Sequence, residues 1–133
     1  MNLYLDASAL VKRYVAELES DVVRAAMDDA DGWFTCRVGC VETVRAVGLA
    51  VGKAAAKTVA DELPMFGVIE IDQPLAEAAA ELALEFGLRS LDALHLAAAL
   101  VLPHEDLKLA TWDRRLHAAA IDVGLRLIPE TLP

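Results

Sequence analysis

Basic side chains are in short supply: Lys and Arg number 12 against 21 Asp and Glu, for a formal charge of -9. That balance argues against a conventional nucleic-acid binder, whose nonspecific affinity for phosphate comes from Lys and Arg. Contact with a polyanion would then require some of the acids to hold divalent cations that face the phosphates, while most of the others act as a solubilising surface. Aromatic residues are also few, at 5%, and form no stripe on which bases would stack. A membrane-length apolar run is missing. The longest uncharged apolar stretch, Ala93 to Pro103, is interrupted by His95 and falls far short of the roughly 20 residues a spanning helix needs. The amino terminus, Met-Asn-Leu-Tyr-Leu-Asp, has no basic segment ahead of an apolar one, so a cytoplasmic location is expected. Repeats and low-complexity runs are absent.

Cysteine is limited to Cys36 and Cys40. The two lie four apart in a predicted helix, where a bridge is disfavoured, and they form no CxxC pair. With no histidine nearby, buried free thiols are expected rather than zinc ligands.

What is present is a regular alternation of strand and helix signals. Apolar or β-branched runs at Leu3–Leu5, Gly32–Thr35, Val68–Ile71, Leu107–Ala110 and Leu125–Ile128 read as strands. Between them, helical spacing predicts helices over Ala7–Val15, Glu19–Asp29, Arg37–Gly52 and Lys53–Leu63, the last stopped by Pro64. Pro74 opens a further helix that Gly87 closes after Phe86. Ser90 is expected to cap the next helix, through Leu102, and Arg114–Val123 forms the last. Parallel neighbours need crossover helices, so the pattern predicts a three-layer α/β/α sandwich with a central parallel sheet of about five strands, as one domain over residues 1–133. The apolar segments Ala76–Ala83 and Leu94–Leu102 are expected in the core.

Ligands bind at the carboxyl ends of the strands in such sheets, which makes the position of the acids informative. Asp6 follows the first strand, Asp92 falls in the first turn after Ser90, and Asp113 lies two residues past Thr111. Glu42 sits inside a helix on one face with Val38, Arg45 and Leu49. Each has a structural reading too: Asp6 as a helix cap, Asp92 and Asp113 as acids at helix amino termini, and Glu42 as the ion-pair partner of Arg45. Four carboxylates at one rim repel one another unless a cation lies between them. An all-oxygen set suits Mg²⁺ or Mn²⁺, and such a site can hydrolyse phosphodiesters.

Four segments carry a family resemblance: Leu-Asp-Ala-Ser-Ala-Leu-Val-Lys from Leu5, Val-Glu-Thr-Val-Arg-Ala from Val41, Ser-Leu-Asp-Ala-Leu-His-Leu-Ala-Ala-Ala from Ser90, and Thr-Trp-Asp-Arg-Arg-Leu from Thr111. In order and spacing they resemble PIN domains, and more narrowly the VapC toxins of bacterial and archaeal toxin-antitoxin pairs. The resemblance implies that Asp6, Glu42, Asp92 and Asp113 bind Mg²⁺ or Mn²⁺ and are catalytic, and that Ser8 and Thr111 orient the carboxylates from behind. It also implies endoribonuclease activity leaving a 5′-phosphate, a homodimer and a cognate antitoxin. Arg114 and Arg115, then Arg13, are the first candidates to touch RNA, ahead of Arg37 and Arg89. His95 is expected to pack at a helix interface rather than act as a general acid, and Asp72 matches none of the four acids.

Other readings make different demands. A noncatalytic scaffold of the same fold should lack one of the four acids, and none is lacking. A structure-specific DNA nuclease would use the same metal chemistry. A receiver domain needs an acidic pair after its first strand and a Lys after its last, whereas this chain has Asp6 alone and its final strand leads to Ile-Pro-Glu without lysine.

Overall fold

A computed structural model describes residues 1–133. The chain runs β1 (Asn2–Leu5), α1 (Ala7–Tyr14), α2 (Ser20–Asp29), β2 (Trp33–Cys36), α3 (Arg37–Ala50), α4 (Lys53–Glu62), β3 (Gly67–Ile69), α5 (Gln73–Phe86), α6 (Ser90–Ala99), β4 (Leu107–Ala110), α7 (Arg114–Asp122) and β5 (Arg126–Ile128). All strand pairs are parallel, in the order β3-β2-β1-β4-β5. The sandwich expected from the alternation is therefore the fold observed. No helix is long and apolar enough to cross a membrane.

Side chains alternate along β1, and this divides the core into two layers. Leu3 and Leu5 pack with Ala9, Leu10, Val23 and Met27 of α1 and α2 on one face. Tyr4 points to the other face, among residues of α5, α6 and α7. From β1 the chain builds outward to β2 and β3, then returns to the other side of β1 to lay down β4 and β5. The crevice between the carboxyl ends of β1 and β4 is thus the topological switch point, where open α/β sheets place their ligands.

Several boundaries depart from the sequence reading. Arg89, not Ser90, is the cap residue of α6: its backbone is extended and its carbonyl accepts the first intrahelical bond, from the Ala93 N–H at 2.9 Å. That helix stops at Ala99 because Val101 and Leu102 bond back to Ala98 and Ala99, tightening the chain into a turn. β3 starts at Gly67, where the Phe34 ring lies so close that a Cβ would sit 2.5 Å from it. It ends before Glu70, which turns out to pair with Arg37. The expected core role holds for α6, whose Ala93 and Leu96–Ala99 are buried, but only Leu75 and Ala79 are buried on α5, and Leu84 is 90% exposed. Helix α5 lies on α6 as an outer element and turns one face to water. Cys36 and Cys40 are free and buried, as expected.

Gly39 lets α3 approach both β2 and α6. A Cβ there would lie 2.5 Å from Thr35 Oγ1 and 3.0 Å from His95 Cε1, and both of those side chains are buried. Gly39→Ala is therefore expected to destabilise the protein by about 1 to 3 kcal/mol in urea unfolding through overpacking, although the same change in an unobstructed helix stabilises it by about 0.5 to 1 kcal/mol. A stabilised variant would mean the contact relaxes freely.

Candidate active site

Asp6 stands at the switch point, immediately after β1. Its extended backbone makes it the N-cap of α1, with Oδ1 accepting from the Ala9 N–H at 3.0 Å and from Ser8 Oγ at 2.6 Å. Oδ2 accepts from Thr111 Oγ1 at 2.5 Å. The carboxylate is 3% exposed. Burial pushes its pKa above the ordinary carboxylate value, while His95, the two hydroxyls and the Ala9 N–H pull it back.

The two hydroxyls also join the halves of the crevice. Ser8 Oγ accepts from the Trp112 N–H at 2.9 Å, and Thr111 Oγ1 accepts from the Asp113 N–H at 3.1 Å. The loop after β4 is thereby pinned to the start of α1. Asp113 caps α7, accepting from the Leu116 N–H at 2.9 Å through Oδ1 only.

Asp92, in the first turn of α6, is half-buried and accepts no hydrogen bond from the protein. Burial, reinforced by Asp113, Asp6 and Glu42 and opposed by His95, raises its pKa to about 6. All three of the other acids therefore act electrostatically on Asp92, which ties the set together across four elements. Glu42, on α3, accepts from His95 Nε2 at 2.7 Å. Burial works against the charged imidazole, but hydrogen bonds to Cys36 and Glu42 outweigh it and hold His95 up at about 10. Glu42 therefore has a buried partner on α6 and forms no ion pair with Arg45.

As they stand, no three His, Cys, Asp or Glu side chains close on a common point as a ready metal cage. Repulsion acts over several ångströms, whereas a Mg²⁺ shell needs oxygens about 2.1 Å from the ion. Both observations describe acids that share an electrostatic field without touching a common centre. The donor set is nevertheless one that fits a hard cation: carboxylate oxygens, with Asp92, one oxygen of Asp113 and one of Glu42 free of protein donors.

A cleft of about 590 Å³ opens beside the acids, lined among others by Ser8, Glu42, Arg45, Leu91 and Trp112. Of the arginines singled out in the sequence, Arg13, Arg37 and Arg114 are engaged by other partners. Arg13 is about two turns from Asp6, at the far end of α1, paired with Glu62 at 3.2 Å and stacked over Trp33 at 5.1 Å. Trp33 begins β2, so Arg13 lies toward the amino ends of the strands, the opposite end of the sheet from the acids: α1 carries it away from the rim. Arg37 is engaged by Glu70, and Arg114 donates to the Pro133 carbonyl at 2.6 Å. Arg115 is exposed in the first turn of α7, close in sequence to Asp113. Arg45, which lines the cleft and forms no salt bridge, was passed over because in the sequence it looked like the partner of Glu42. His95 does pack in the interior as expected, but its bond to Glu42 joins residues 53 apart, a link no local pattern reveals. Asp72 caps α5.

The raised pKa of Asp92 predicts how stability follows pH without metal. Between its ordinary value of 3.8 and about 6, the folded protein binds more protons than the unfolded chain. Stability contributed by this group is thus full below the lower value and lost as pH rises through the upper. Asp92→Asn should flatten that slope and, above about pH 6, stabilise the protein by about 1 kcal/mol after discounting for solvent screening of a half-buried group. Thermal unfolding in EDTA from about pH 4 to 7 checks this, and parallel wild-type and variant curves would contradict it.

Known proteins resemble this chain along nearly its whole length. The PIN domain family model matches residues 3–122. Ribonuclease VapC46 of Mycobacterium tuberculosis is 35% identical over 126 residues, covering 95% of each protein. Among solved structures, Mycobacterium tuberculosis VapC20, described as a Sarcin-Ricin loop cleaving toxin, superposes with a TM-score of 0.77 at 16% identity, covering 98% of this chain and 99% of that one. The toxin-antitoxin complex from Klebsiella pneumoniae superposes with a TM-score of 0.67 at 21% identity, covering 84% of this chain and 86% of its counterpart. With an acid-lined switch point, a matching family model along nearly all its length and a curated relative above 30% identity, this chain belongs to the PIN-domain family.

Proposed function

We propose that the protein is a metal-dependent endoribonuclease, the toxin of a toxin-antitoxin pair, that hydrolyses RNA at the crevice holding Asp6, Glu42, Asp92 and Asp113. The observation that carries this reading is Asp6 at the switch point, capping α1, with Asp113 capping α7 and Asp92 in the first turn of α6 without a donor from the protein. The curated relative named a ribonuclease supports RNA as the substrate. In this reading the four carboxylates hold Mg²⁺ or Mn²⁺. When bound, such a cation supplies Lewis acidity toward water and the phosphate oxygens.

The chain's own residues do the rest. Ser8 and Thr111 fix the rotamer of Asp6 from both sides, so its position is set before substrate arrives. Asp113 is held by its cap bond at the start of α7. Arg45, Arg89 and Arg115 are exposed cations without an ion pair on the elements that carry the acids, and are available to RNA phosphates. A cognate antitoxin that covers the site, a homodimer and action in the cytoplasm belong to the same proposal through the family.

Cleavage of a mixed RNA pool and matching single-stranded DNA, with Mg²⁺, Mn²⁺ or EDTA, tests it. RNA should be cut only with metal, leaving 5′-phosphate ends. Asp6→Asn should reduce turnover by about 100-fold or more, given that metal-assisted charge stabilisation supplies several kcal/mol. The Asn oxygen keeps the cap to Ala9, so the variant should remain folded. Equal cutting of DNA would favour a structure-specific DNA nuclease, 2′,3′-cyclic phosphate ends would make the RNA hydroxyl the nucleophile, and failure to bind metal or cut either polymer would favour a noncatalytic scaffold.

A further inference from the structure

His95 connects the acid cluster to the interior of the sheet. It lies one turn after Asp92 on α6, is 2% exposed, and has a partner on each ring nitrogen. Nε2 is 2.7 Å from Glu42 Oε1, and Nδ1 is 2.8 Å from the Tyr4 hydroxyl, with Cys36 Sγ a longer contact of the same nitrogen at 3.7 Å. Tyr4 is fully buried in β1, two residues ahead of Asp6, with its ring edge-on to the imidazole at 5.9 Å. Gly39 clears the space for that imidazole from the α3 side.

A carboxylate only accepts, so Nε2 carries the hydrogen in this contact. Nδ1 faces a hydroxyl, which serves it as donor or acceptor, so the chain of contacts holds whether or not Nδ1 is protonated. Glu42 needs such a hold. Its side chain has three rotatable bonds whose freedom must be given up to hold one position, and it is 28% exposed. Arg45 follows three residues later on the same helix and forms no ion pair, so an unrestrained Glu42 has an alternative partner pointing out into the cleft.

We propose that His95, held by Tyr4, is a positioning residue that aims Glu42 into the acid cluster, so that the Tyr4–His95–Glu42 chain sets how tightly the site takes a divalent cation. The inference rests on the metal-dependent reading of these acids. One oxygen of Glu42 is committed to His95 and the other is left for the cation. The helix interface in which His95 packs thereby also governs the geometry of the site.

The test compares wild type, His95→Leu, His95→Gln and Tyr4→Phe by calorimetric titration with Mn²⁺, thermal unfolding in EDTA, and RNA cleavage at saturating Mn²⁺. Removing a hydrogen-bond partner of a metal-binding carboxylate lowers affinity by about 10- to 100-fold, and His95→Leu should do so while lowering kcat and leaving KM for RNA nearly unchanged. His95→Gln keeps an N–H donor and should recover most of the affinity. Tyr4→Phe keeps the packing, loses only the hydroxyl and should weaken Mn²⁺ binding in the same direction to a smaller extent. A folded His95→Leu that binds Mn²⁺ as wild type does would overturn the proposal. If that variant fails to fold, unchanged Mn²⁺ affinity in Tyr4→Phe overturns it instead. Wild-type protein that takes up no Mn²⁺ would sink the metal-dependent reading and this inference with it, whereas wild-type uptake with unaltered variants sinks this inference alone.

Discussion

A buried carboxylate at the one place where the sheet reverses direction is the constraint around which the rest of the molecule is arranged. Asp6 is almost inaccessible to water, and a carboxylate in that position costs several kcal/mol unless its lone pairs are satisfied. The donors that satisfy it come from both sides of the switch point: the first turn of α1, and the residue after β4. The same Ser8 and Thr111 oxygens accept the N–H groups of Trp112 and Asp113. Satisfying Asp6 therefore also closes the loop that delivers Asp113. The acid is costly alone, and the network that offsets its cost is what joins the two halves of the sheet.

The remaining acids are placed on the same logic but satisfied less completely. Asp6 and Asp113 cap α1 and α7, and Asp92 lies in the first turn of α6. Three helix amino termini, each carrying a partial positive charge, thus converge on one rim and soften the repulsion among the acids. His95 adds a charge of the opposite sign from below. What is left over falls on Asp92, which has no donor from the protein and bears the residual repulsion as a raised pKa. A site optimised for the stability of the protein alone would give that carboxylate a partner. In the metal-dependent reading, that unpaired carboxylate is the group left for a cation to satisfy.

Much of this was legible in the sequence, and the residues that were not share a cause. The alternation of β-branched runs and helical spacing is a local signal, and so is an acid directly after a strand or at the start of a helix; Asp6, Asp92 and Asp113 could be placed at the rim on those signals. The identity of the partners depends on which helix faces which, and that is set by packing. Glu42 looked equally suited to Arg45 on its own helix and to the rim. Only the approach of α3 to α6, permitted by Gly39, decides for His95. Nearness in sequence to Asp6 says nothing of direction for Arg13: α1 leads away from the crevice, and Arg13 ends beside Trp33 at the amino end of the strands. The alanine-rich α5 has an apolar composition without being core, since it is the outer of two packed helices and its small side chains tolerate exposure.

The net charge of -9 bears on how such a site would meet RNA. A polyanion approaching this surface gains little from long-range steering, which falls off within about 10 Å at moderate salt and here has the wrong sign overall. Local features must then supply the recognition. Of the cations near the crevice, Lys12 donates to the Leu18 carbonyl at 2.7 Å and sits over the Trp112 ring at 5.0 Å, which makes it part of the wall. Arg45 is the cleft-lining cation without an ion pair, one turn from Glu42 and across from Leu91 and Trp112. With 12 basic residues against 21 acids, and Lys12, Arg13, Arg37 and Lys57 already in ion pairs, the surface offers RNA little nonspecific attraction. In the ribonuclease reading, productive contact depends on divalent cations at the acids and on a substrate whose shape fits the cleft, so the scarcity of basic residues acts as a source of selectivity.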